Sequence, residues 1–271
     1  MKIHIEDFSP SAIAESGQCF RMKCTGENKY FLIARDRPLF IEDGGDGNFT
    51  FSCSEEEFEG FWRNYFDLSA DYGIYRALCL PGDEFLKKCI SFGEGIRILN
   101  QDPFEMLISF IISQRKSVPA IRTSIERMCE RLGDEIILPD GETVFAFPEA
   151  EKIVSCDTAV LSECGLGYRT PYIRNAAERV LTGETDLLSL SSLSTPELIE
   201  NLMEINGVGI KVASCEALFG YHRLDTVPVD VWMKRVTEDI YGGELPESYR
   251  PYAGVLQQYM FNYARLTKLK D

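Results

Sequence analysis

The stretch Leu202-Met203-Glu204-Ile205-Asn206-Gly207-Val208-Gly209-Ile210-Lys211-Val212-Ala213 sets the expected fold of the carboxyl-terminal half of the chain. Two glycines separate an apolar segment that ends at Ile205 from another that begins at Ile210, which predicts two helices joined by a tight hairpin. We expect the amides of Val208, Gly209 and Ile210 to lie unpaired at the start of the second helix, where the backbone dipole favours an anion. Gly207, Val208 and Gly209 are therefore predicted to bind a nucleic-acid phosphate, although a Gly-x-Gly pattern alone is weak evidence.

Lys211 and Asp230 are the candidate catalytic residues. Lys211 lies on the first turn of the second helix, and Asp230 ends the run Val227-Pro228-Val229-Asp230. Most lysines are solvated surface residues, but an amine beside a phosphate site can attack the C1′ carbon of a nucleotide once it is neutral. Asp230 is predicted to cap the following helix, where unpaired amides and the dipole favour its anion.

The first 53 residues are predicted to form an antiparallel meander. Ile3 and Ile5 alternate with polar neighbours, residues 30–34, 39–41 and 49–51 are short apolar runs, and Gly44-Gly45-Asp46-Gly47 is a strong turn. A helix is then expected to begin at Ser54, with the Glu57 side chain reaching back to complete a capping box. Its aromatic stripe has helical spacing, which favours core packing over base stacking. The stripe consists of Phe58, Phe61, Trp62 and Tyr65.

The hydrophobic pattern becomes helical from about residue 84. Residues 104–111 and 121–132 each form one helix face, with the second helix ending near Gly133. Thr170-Pro171 and Thr195-Pro196 predict helix starts, and Gly183 predicts a helix end. We therefore expect an α+β protein with an amino-terminal antiparallel β domain (residues 1–95) and a helical domain (residues 96–271).

Composition limits the functional classes. A net charge of −15 over 271 residues argues against an extended basic footprint for nucleic acid, but not against a small site of amides and local cations. The nine cysteines are scattered without a C-x-x-C pair, which favours reduced thiols over an iron–sulfur cluster. Neither a membrane span nor a signal peptide is predicted, so a cytoplasmic location is expected.

The hairpin, Lys211 and the run that ends at Asp230 together resemble the signature of the helix–hairpin–helix DNA glycosylases, in particular the 8-oxoguanine branch. The resemblance implies a TBP-like amino-terminal sheet followed by a helical catalytic domain. It also implies a bifunctional glycosylase and lyase, in which Lys211 expels the base, forms a Schiff base with the opened sugar and assists β-elimination. Asp230 would stabilise positive charge while the glycosidic bond breaks.

The same resemblance implies the residues that hold an extruded base. Gly17, in Ser16-Gly17-Gln18-Cys19-Phe20-Arg21, matches the glycine whose carbonyl accepts a hydrogen bond from N7–H of 8-oxoguanine, a proton that guanine lacks. Gln257 and Phe261 lie four residues apart on one helix face and would bind and stack the base. Cys215 matches the thiol that packs against the opposite face of the ring.

Contacts with the duplex are implied at two further segments. Gly167-Tyr168-Arg169 resembles the loop whose tyrosine wedges into DNA and whose arginine contacts the opposite strand. Gln114 and Arg115 are also expected to contact DNA, but Arg115 stands where the family has an asparagine that bonds the orphaned partner base. Trp232 replaces a frequent histidine near Asp230. These departures leave open the opposite-base preference and some phosphate contacts.

We expect a monomer that acts on double-stranded DNA containing oxidised guanine, away from any membrane. No cofactor is expected, although hairpin carbonyls can hold a monovalent cation. One alternative is an alkylpurine glycosylase of the same superfamily, suggested by Ser113-Gln114-Arg115 and the acidic composition; Lys211 argues against it. Another alternative is a DNA-binding module without catalysis, which the Lys211 and Asp230 pair disfavours.

Overall fold

The computed structural model describes residues 1–269. Its strands are β1 (Lys2–His4), β2 (Met22–Gly26), β3 (Lys29–Ala34), β4 (Arg37–Asp43), β5 (Asn48–Phe51), β6 (Glu135–Ile137) and β7 (Thr143–Phe145). Its α-helices are α1 (Pro10–Glu15), α2 (Glu55–Glu57), α3 (Arg63–Tyr65), α4 (Tyr72–Arg76), α5 (Glu84–Phe92), α6 (Pro103–Ser113), α7 (Val118–Leu132), α8 (Ala150–Ser155), α9 (Thr158–Glu163), α10 (Thr170–Leu181), α11 (Leu187–Leu190), α12 (Thr195–Met203), α13 (Ile210–Phe219), α14 (Val231–Arg235) and α15 (Ala253–Thr267). The remaining helical turns are π-helical at Phe58–Trp62 and Val236–Ile240, and 3-10 at Gly167–Arg169 and Glu247–Tyr252.

The amino-terminal strands form the predicted antiparallel sheet. The strand order is β1-β5-β4-β3-β2, so β2 to β5 are a meander and β1 pairs with β5 at the far edge. The register places Leu32 opposite Leu39 and Ile41 opposite Phe51, which directs apolar side chains to one face. That face packs on Phe58 and Trp62, both fully buried. Tyr65 is also buried in this core and Phe61 packs against it, so core packing of the aromatic stripe is confirmed.

The cap at Ser54 differs from the prediction. The Ser54 hydroxyl accepts from the Glu57 amide at 3.0 Å, as expected. The Glu57 carboxylate does not reach back to Ser54, because it accepts from Trp62 Nε1 at 3.2 Å and lies 3.7 Å from the Arg37 guanidinium. A buried indole N–H needs an acceptor, and this need takes the carboxylate away from the cap.

A short hairpin interrupts the helical region and was not predicted. Strands β6 and β7 pair between α7 and α8, and Leu138 packs on Phe31 and Ile33. Strand β3 is consequently buried on both faces, which accounts for its continuous apolar run. The hairpin thus covers the outer face of the sheet with residues from the carboxyl-terminal half.

The helical part has its own core and positions the site. Helices α6 and α13 pack on each other, α12 packs on α13, and α15 packs on α5. The predicted helix starts at Pro171 and Pro196 are confirmed, as is the helix end before Gly133. The α+β prediction is likewise confirmed. Across residues 1–269, no helix has the length and apolar character needed to cross a membrane.

Candidate active site

The hairpin between α12 and α13 has the predicted shape but fewer free amides. Gly207 adopts a φ of +86°, and the ring of Tyr172 leaves no space for a β-carbon there. The Val208 amide donates to the carbonyl of Ile205 at 2.9 Å, so the prediction that it is free was wrong. The hydrogen bond that closes the tight turn uses the Val208 amide, so this amide cannot bind an anion. Within residues 1–269, the amides of Gly209 and Ile210 have no acceptor and are available to an anion.

Gln114 supports the hairpin from the neighbouring helix. Its Nε2 donates to the carbonyl of Gly207 at 3.0 Å and to that of Ile111 at 3.2 Å. The side chain therefore fixes the hairpin relative to the end of α6. A role in DNA binding stays a prediction for this residue, and the observed bonds show how it orients the turn.

A cavity of about 550 Å³ opens beside the hairpin between α6, α13, α14 and α15. It gathers most of the predicted site residues. These are Gly17, Gln114, Arg115, Lys211, Cys215, Asp230, Gln257 and Phe261. The hairpin residues Gly207, Val208 and Gly209 and the loop residues Tyr168 and Arg169 do not line this cavity. The predicted site residues therefore fall into two groups, one that lines the cavity and one that lies outside it.

Lys211 enters the cavity from the first turn of α13. Its Nζ donates to Ser113 Oγ at 3.2 Å and lies 5.2 Å above the centre of the Phe110 ring. The Ser113 hydroxyl itself donates to the Phe110 carbonyl at 2.7 Å, so its oxygen is free to accept from the amine. Cys215 lies one helical turn further, where burial raises the pKa of its thiol against the opposing charge of Lys211.

Asp230 is the N-cap of α14, as predicted. Its Oδ1 accepts from the amides of Trp232 at 3.0 Å and Met233 at 2.9 Å. Its Oδ2 has no hydrogen-bond partner among residues 1–269, and the residue lines the cavity. One carboxylate oxygen therefore holds the helix while the other can act on a bound molecule.

Gly17, Gln257 and Phe261 form one wall of the cavity. Gln257 is 3% exposed, and its Oε1 is buried without a hydrogen-bond partner. Gly17 has a φ of +77°, and a β-carbon there would lie 3.1 Å from Cε1 of Phe261. A buried acceptor without a partner is costly unless a ligand supplies a donor. This wall is therefore suited to a planar molecule with polar edges.

The mouth of the cavity carries basic residues. Arg115 is exposed, has a φ of +52° and donates no hydrogen bond within residues 1–269. Beside it, Lys116 Nζ donates to the Gly165 carbonyl at 2.7 Å, and partial burial lowers the pKa of its ammonium. Arg115 is thus the side chain at this edge that is free to contact a ligand.

In the loop that carries Tyr168 and Arg169, the structure is consistent with the role predicted for Tyr168 but not with the role predicted for Arg169. Tyr168 is 52% exposed, as a wedge requires, whereas Arg169 is 5% exposed. The Arg169 guanidinium donates to the carbonyls of Leu166 and Gln114 and lies 4.3 Å from the Tyr168 ring centre. The expectation that it contacts the opposite strand is not supported by this position, because internal carbonyls hold the guanidinium inside the protein.

Three lining residues were missed by the sequence reasoning. Ser113 accepts from Lys211, Gln258 donates to the Ser16 carbonyl at 2.7 Å, and Arg265 lies 5.9 Å from the Phe261 ring centre. Helical spacing from Phe261 was the available signal for Arg265. No local signal identifies Gln258, since its acceptor is 242 residues away. Within residues 1–269, no group of three or more His, Cys, Asp or Glu side chains is placed to hold a metal ion.

Models of known protein families match both halves of the chain. The family model for the N-terminal domain of 8-oxoguanine DNA glycosylase matches residues 1–107. The model for the HhH-GPD superfamily of base excision DNA repair proteins matches residues 108–251. Together these matches cover the sheet and the cavity residues up to Trp232, whereas the cavity residues on α15 lie beyond the matched range.

Individual relatives agree with the family models. A probable N-glycosylase/DNA lyase of Methanothermobacter thermautotrophicus is 33% identical over 70% of each chain. The N-glycosylase/DNA lyase of Saccharomyces cerevisiae is 36% identical over 84% of this chain and 67% of its own. The Clostridium acetobutylicum 8-oxoguanine glycosylase/lyase, solved with double-stranded DNA containing cytosine opposite 8-oxoguanine, has a TM-score of 0.90, 33% identity and 99% coverage of both chains.

Proposed function

The chain belongs to the HhH-GPD superfamily of base excision DNA repair proteins, and from that premise we propose that it is a bifunctional 8-oxoguanine DNA glycosylase and lyase. One observation carries this proposal: the amine of Lys211, the free carboxylate oxygen of Asp230 and the unpartnered Oε1 of Gln257 share one cavity. A nucleophile, an anion and a base-binding group are what removal of a base requires.

The chemistry begins at the lysine amine. Neutral Lys211 Nζ forms a bond to C1′ while the bond between C1′ and the base nitrogen breaks, and the base leaves with the electron pair and takes up a proton. The ammonium formed at Nζ loses one proton, and the C1′–O4′ bond then breaks with its electron pair going to O4′, which takes a proton from water. A protonated Schiff base between Lys211 and the sugar remains. Loss of a proton from C2′ expels the 3′ phosphate by β-elimination, and water hydrolyses the Schiff base to release the enzyme.

Asp230 supports the first of these steps. Positive charge develops on the sugar as the glycosidic bond stretches, and a fixed carboxylate stabilises it more than it stabilises the neutral substrate. Because Oδ1 is held by two amides of α14, the carboxylate needs little reorganisation during the reaction. Its second oxygen is the one that acts on the sugar.

The cavity wall selects the base. Gln257 offers both a donor and an acceptor, and Phe261 on the same helix offers a stacking surface. The Gly17 carbonyl accepts the N7 proton that 8-oxoguanine carries and guanine does not. An alkylated purine gains nothing from this acceptor, which disfavours the alkylpurine alternative.

Two further assignments belong to this proposal. We place the enzyme in the cytoplasm, with the DNA on which it acts. At the hairpin, the carbonyls of Ile205 and Gly207 each accept one protein hydrogen bond and keep a second lone pair, and we propose that these lone pairs coordinate a monovalent cation. Such a cation would add positive charge near a bound phosphate.

Trapping with borohydride tests the proposed chemistry. On a duplex containing 8-oxoguanine, reduction should leave a covalent protein–DNA adduct, and Lys211→Gln should abolish the adduct while retaining DNA binding. Lys234→Gln is the matched control, because Lys234 is exposed on α14 and does not line the cavity. Undiminished trapping in Lys211→Gln would assign the nucleophile elsewhere. Duplex binding by the unmodified protein without base release would favour a non-catalytic module.

A further inference from the structure

The segment before Gly17 is bound to the helical part at three successive carbonyls. The carbonyl of Ala14 accepts from Arg122 Nη2 on α7, and that of Glu15 accepts from Arg265 Nη2 on α15. The carbonyl of Ser16 accepts from Gln258 Nε2, also on α15, at 2.7 Å. These acceptors end the short helix α1, where the backbone has no further helical donors. Donors more than 100 residues away in sequence therefore supply the missing bonds.

The residue after Gly17 is fixed as well. The Gln18 carbonyl accepts from Gln101 Nε2 at 3.0 Å, and the Gln18 side chain donates to the Arg97 carbonyl at 2.8 Å and accepts from the Leu99 amide at 2.9 Å. Between these anchored neighbours, the carbonyl of Gly17 accepts no hydrogen bond from any of residues 1–269. The chain is therefore held on both sides of one free acceptor at the cavity wall.

We propose that Arg122, Gln258 and Arg265 act as a clamp that fixes the Gly17 carbonyl and thereby sets the discrimination between a purine with a proton on N7 and one without it. This proposal rests on the proposed function. A rigid carbonyl gains a hydrogen bond from the first purine and faces the lone pair of the second. A mobile carbonyl can retreat from that lone pair, so release of the clamp weakens the preference.

Arg122 offers the cleanest test of the clamp. It does not line the cavity, so its replacement changes no group that touches the base. Beyond its bond to Ala14, its guanidinium lies 4.0 Å from the exposed Glu15 carboxylate, a contact of little energetic weight. Arg122→Met keeps the length of the side chain and removes the donor, whereas Arg122→Lys restores a donor.

The experiment measures binding in a Lys211→Gln background, where no base is released. Three matched duplexes carry 8-oxoguanine, guanine or a tetrahydrofuran abasic analogue at one position. Arg122→Met should lower the affinity ratio of the 8-oxoguanine and guanine duplexes about fivefold, in line with one weakened hydrogen bond. Its affinity for the abasic analogue should stay within about twofold, because that ligand has no base to read. Arg122→Lys should recover part of the ratio, and Gln258→Leu should lower it like Arg122→Met.

Arg174→Met is the matched control. Arg174 Nη2 donates to the Cys156 carbonyl at 2.6 Å, outside the cavity, so this variant should leave the ratio unchanged. An unchanged ratio in both Arg122→Met and Gln258→Leu would overturn the clamp, as would a parallel loss of affinity for all three duplexes. Should the Lys211→Gln protein itself show no preference for 8-oxoguanine, the proposed function fails rather than the clamp.

Discussion

Replacement of Arg115 by asparagine should change both the stability of the protein and its preference for the partner base, and the effect on stability follows from the backbone. Arg115 has a φ of +52°, in the left-handed region, which costs a residue with a side chain about 1–2 kcal/mol. Asparagine tolerates this region better because its short side chain bonds locally. We therefore expect Arg115→Asn to raise the free energy of unfolding by about 0.5–1 kcal/mol.

The same substitution changes the hydrogen bonds offered to an orphaned base. Arginine has donors only, so it suits N3 and O2 of cytosine but leaves the cytosine amino group without an acceptor. Guanine and thymine also present acceptors, and arginine therefore discriminates weakly among partners. Asparagine offers a donor and an acceptor together, and one such contact is worth about 1–3 kcal/mol. We expect Arg115→Asn to increase the preference for cytosine by about fivefold to 150-fold.

Single-turnover excision of 8-oxoguanine opposite C, A, G and T, by both proteins, measures this preference. Arg35→Asn is the matched control, since Arg35 also has a left-handed backbone (φ +56°) but lies outside the active-site cavity. Arg35→Asn should leave the ratios among the four excision rates unchanged. A thousandfold preference for cytosine in the unmodified protein, or unchanged ratios in Arg115→Asn, would show that Arg115 does not read the partner base.

Asp230→Asn keeps a good N-cap and loses the charge, so thermal unfolding should change little while single-turnover excision slows on the order of a hundredfold. Salt titration of DNA binding should give a shallow slope, equivalent to about three to five phosphates, and a slope near ten would contradict the small footprint. Burial raises the pKa of Glu105 to about 7, despite the opposing charge of Arg21. The folded state then binds more protons than the unfolded state from about pH 4.5 to about 7, so stability falls as pH rises through that window, by on the order of 3 kcal/mol. The free energy of unfolding of Glu105→Gln, measured with urea, should not show this decrease with pH. An equal decrease in the variant would mean that another group causes it.

The features that the sequence predicted correctly depend on neighbours in the chain. The hairpin follows from Gly207, whose φ of +86° lies in the left-handed region that favours glycine. The cap at Asp230 follows from its place before an apolar helix face, and both bonds run to residues two and three positions later. Such elements can be predicted because the conformations and bonds that define them involve residues only a few positions apart.

The features that were missed depend on partners far along the chain. Glu57 leaves its predicted cap because the Trp62 indole and Arg37 compete for its carboxylate. The strands β6 and β7 have three residues each and become ordered by covering Phe31 and Ile33. A sequence pattern within one segment cannot predict competition from residues far along the chain. The contacts of Arg122 and Gln258 with distant carbonyls could not be predicted for the same reason.

The distribution of charge reconciles a net charge of −15 with a site for DNA. Four cations and one carboxylate line the cavity, namely Arg115, Lys116, Lys211, Arg265 and Asp230. Acidic side chains farther than the Debye length of about 10 Å are screened from a phosphate bound there. Since Lys116 and Arg265 already donate to protein carbonyls, few cations remain for the backbone of the duplex. Contacts with the extruded base must then supply much of the binding free energy, so undamaged DNA, which leaves the cavity unfilled, should be held weakly.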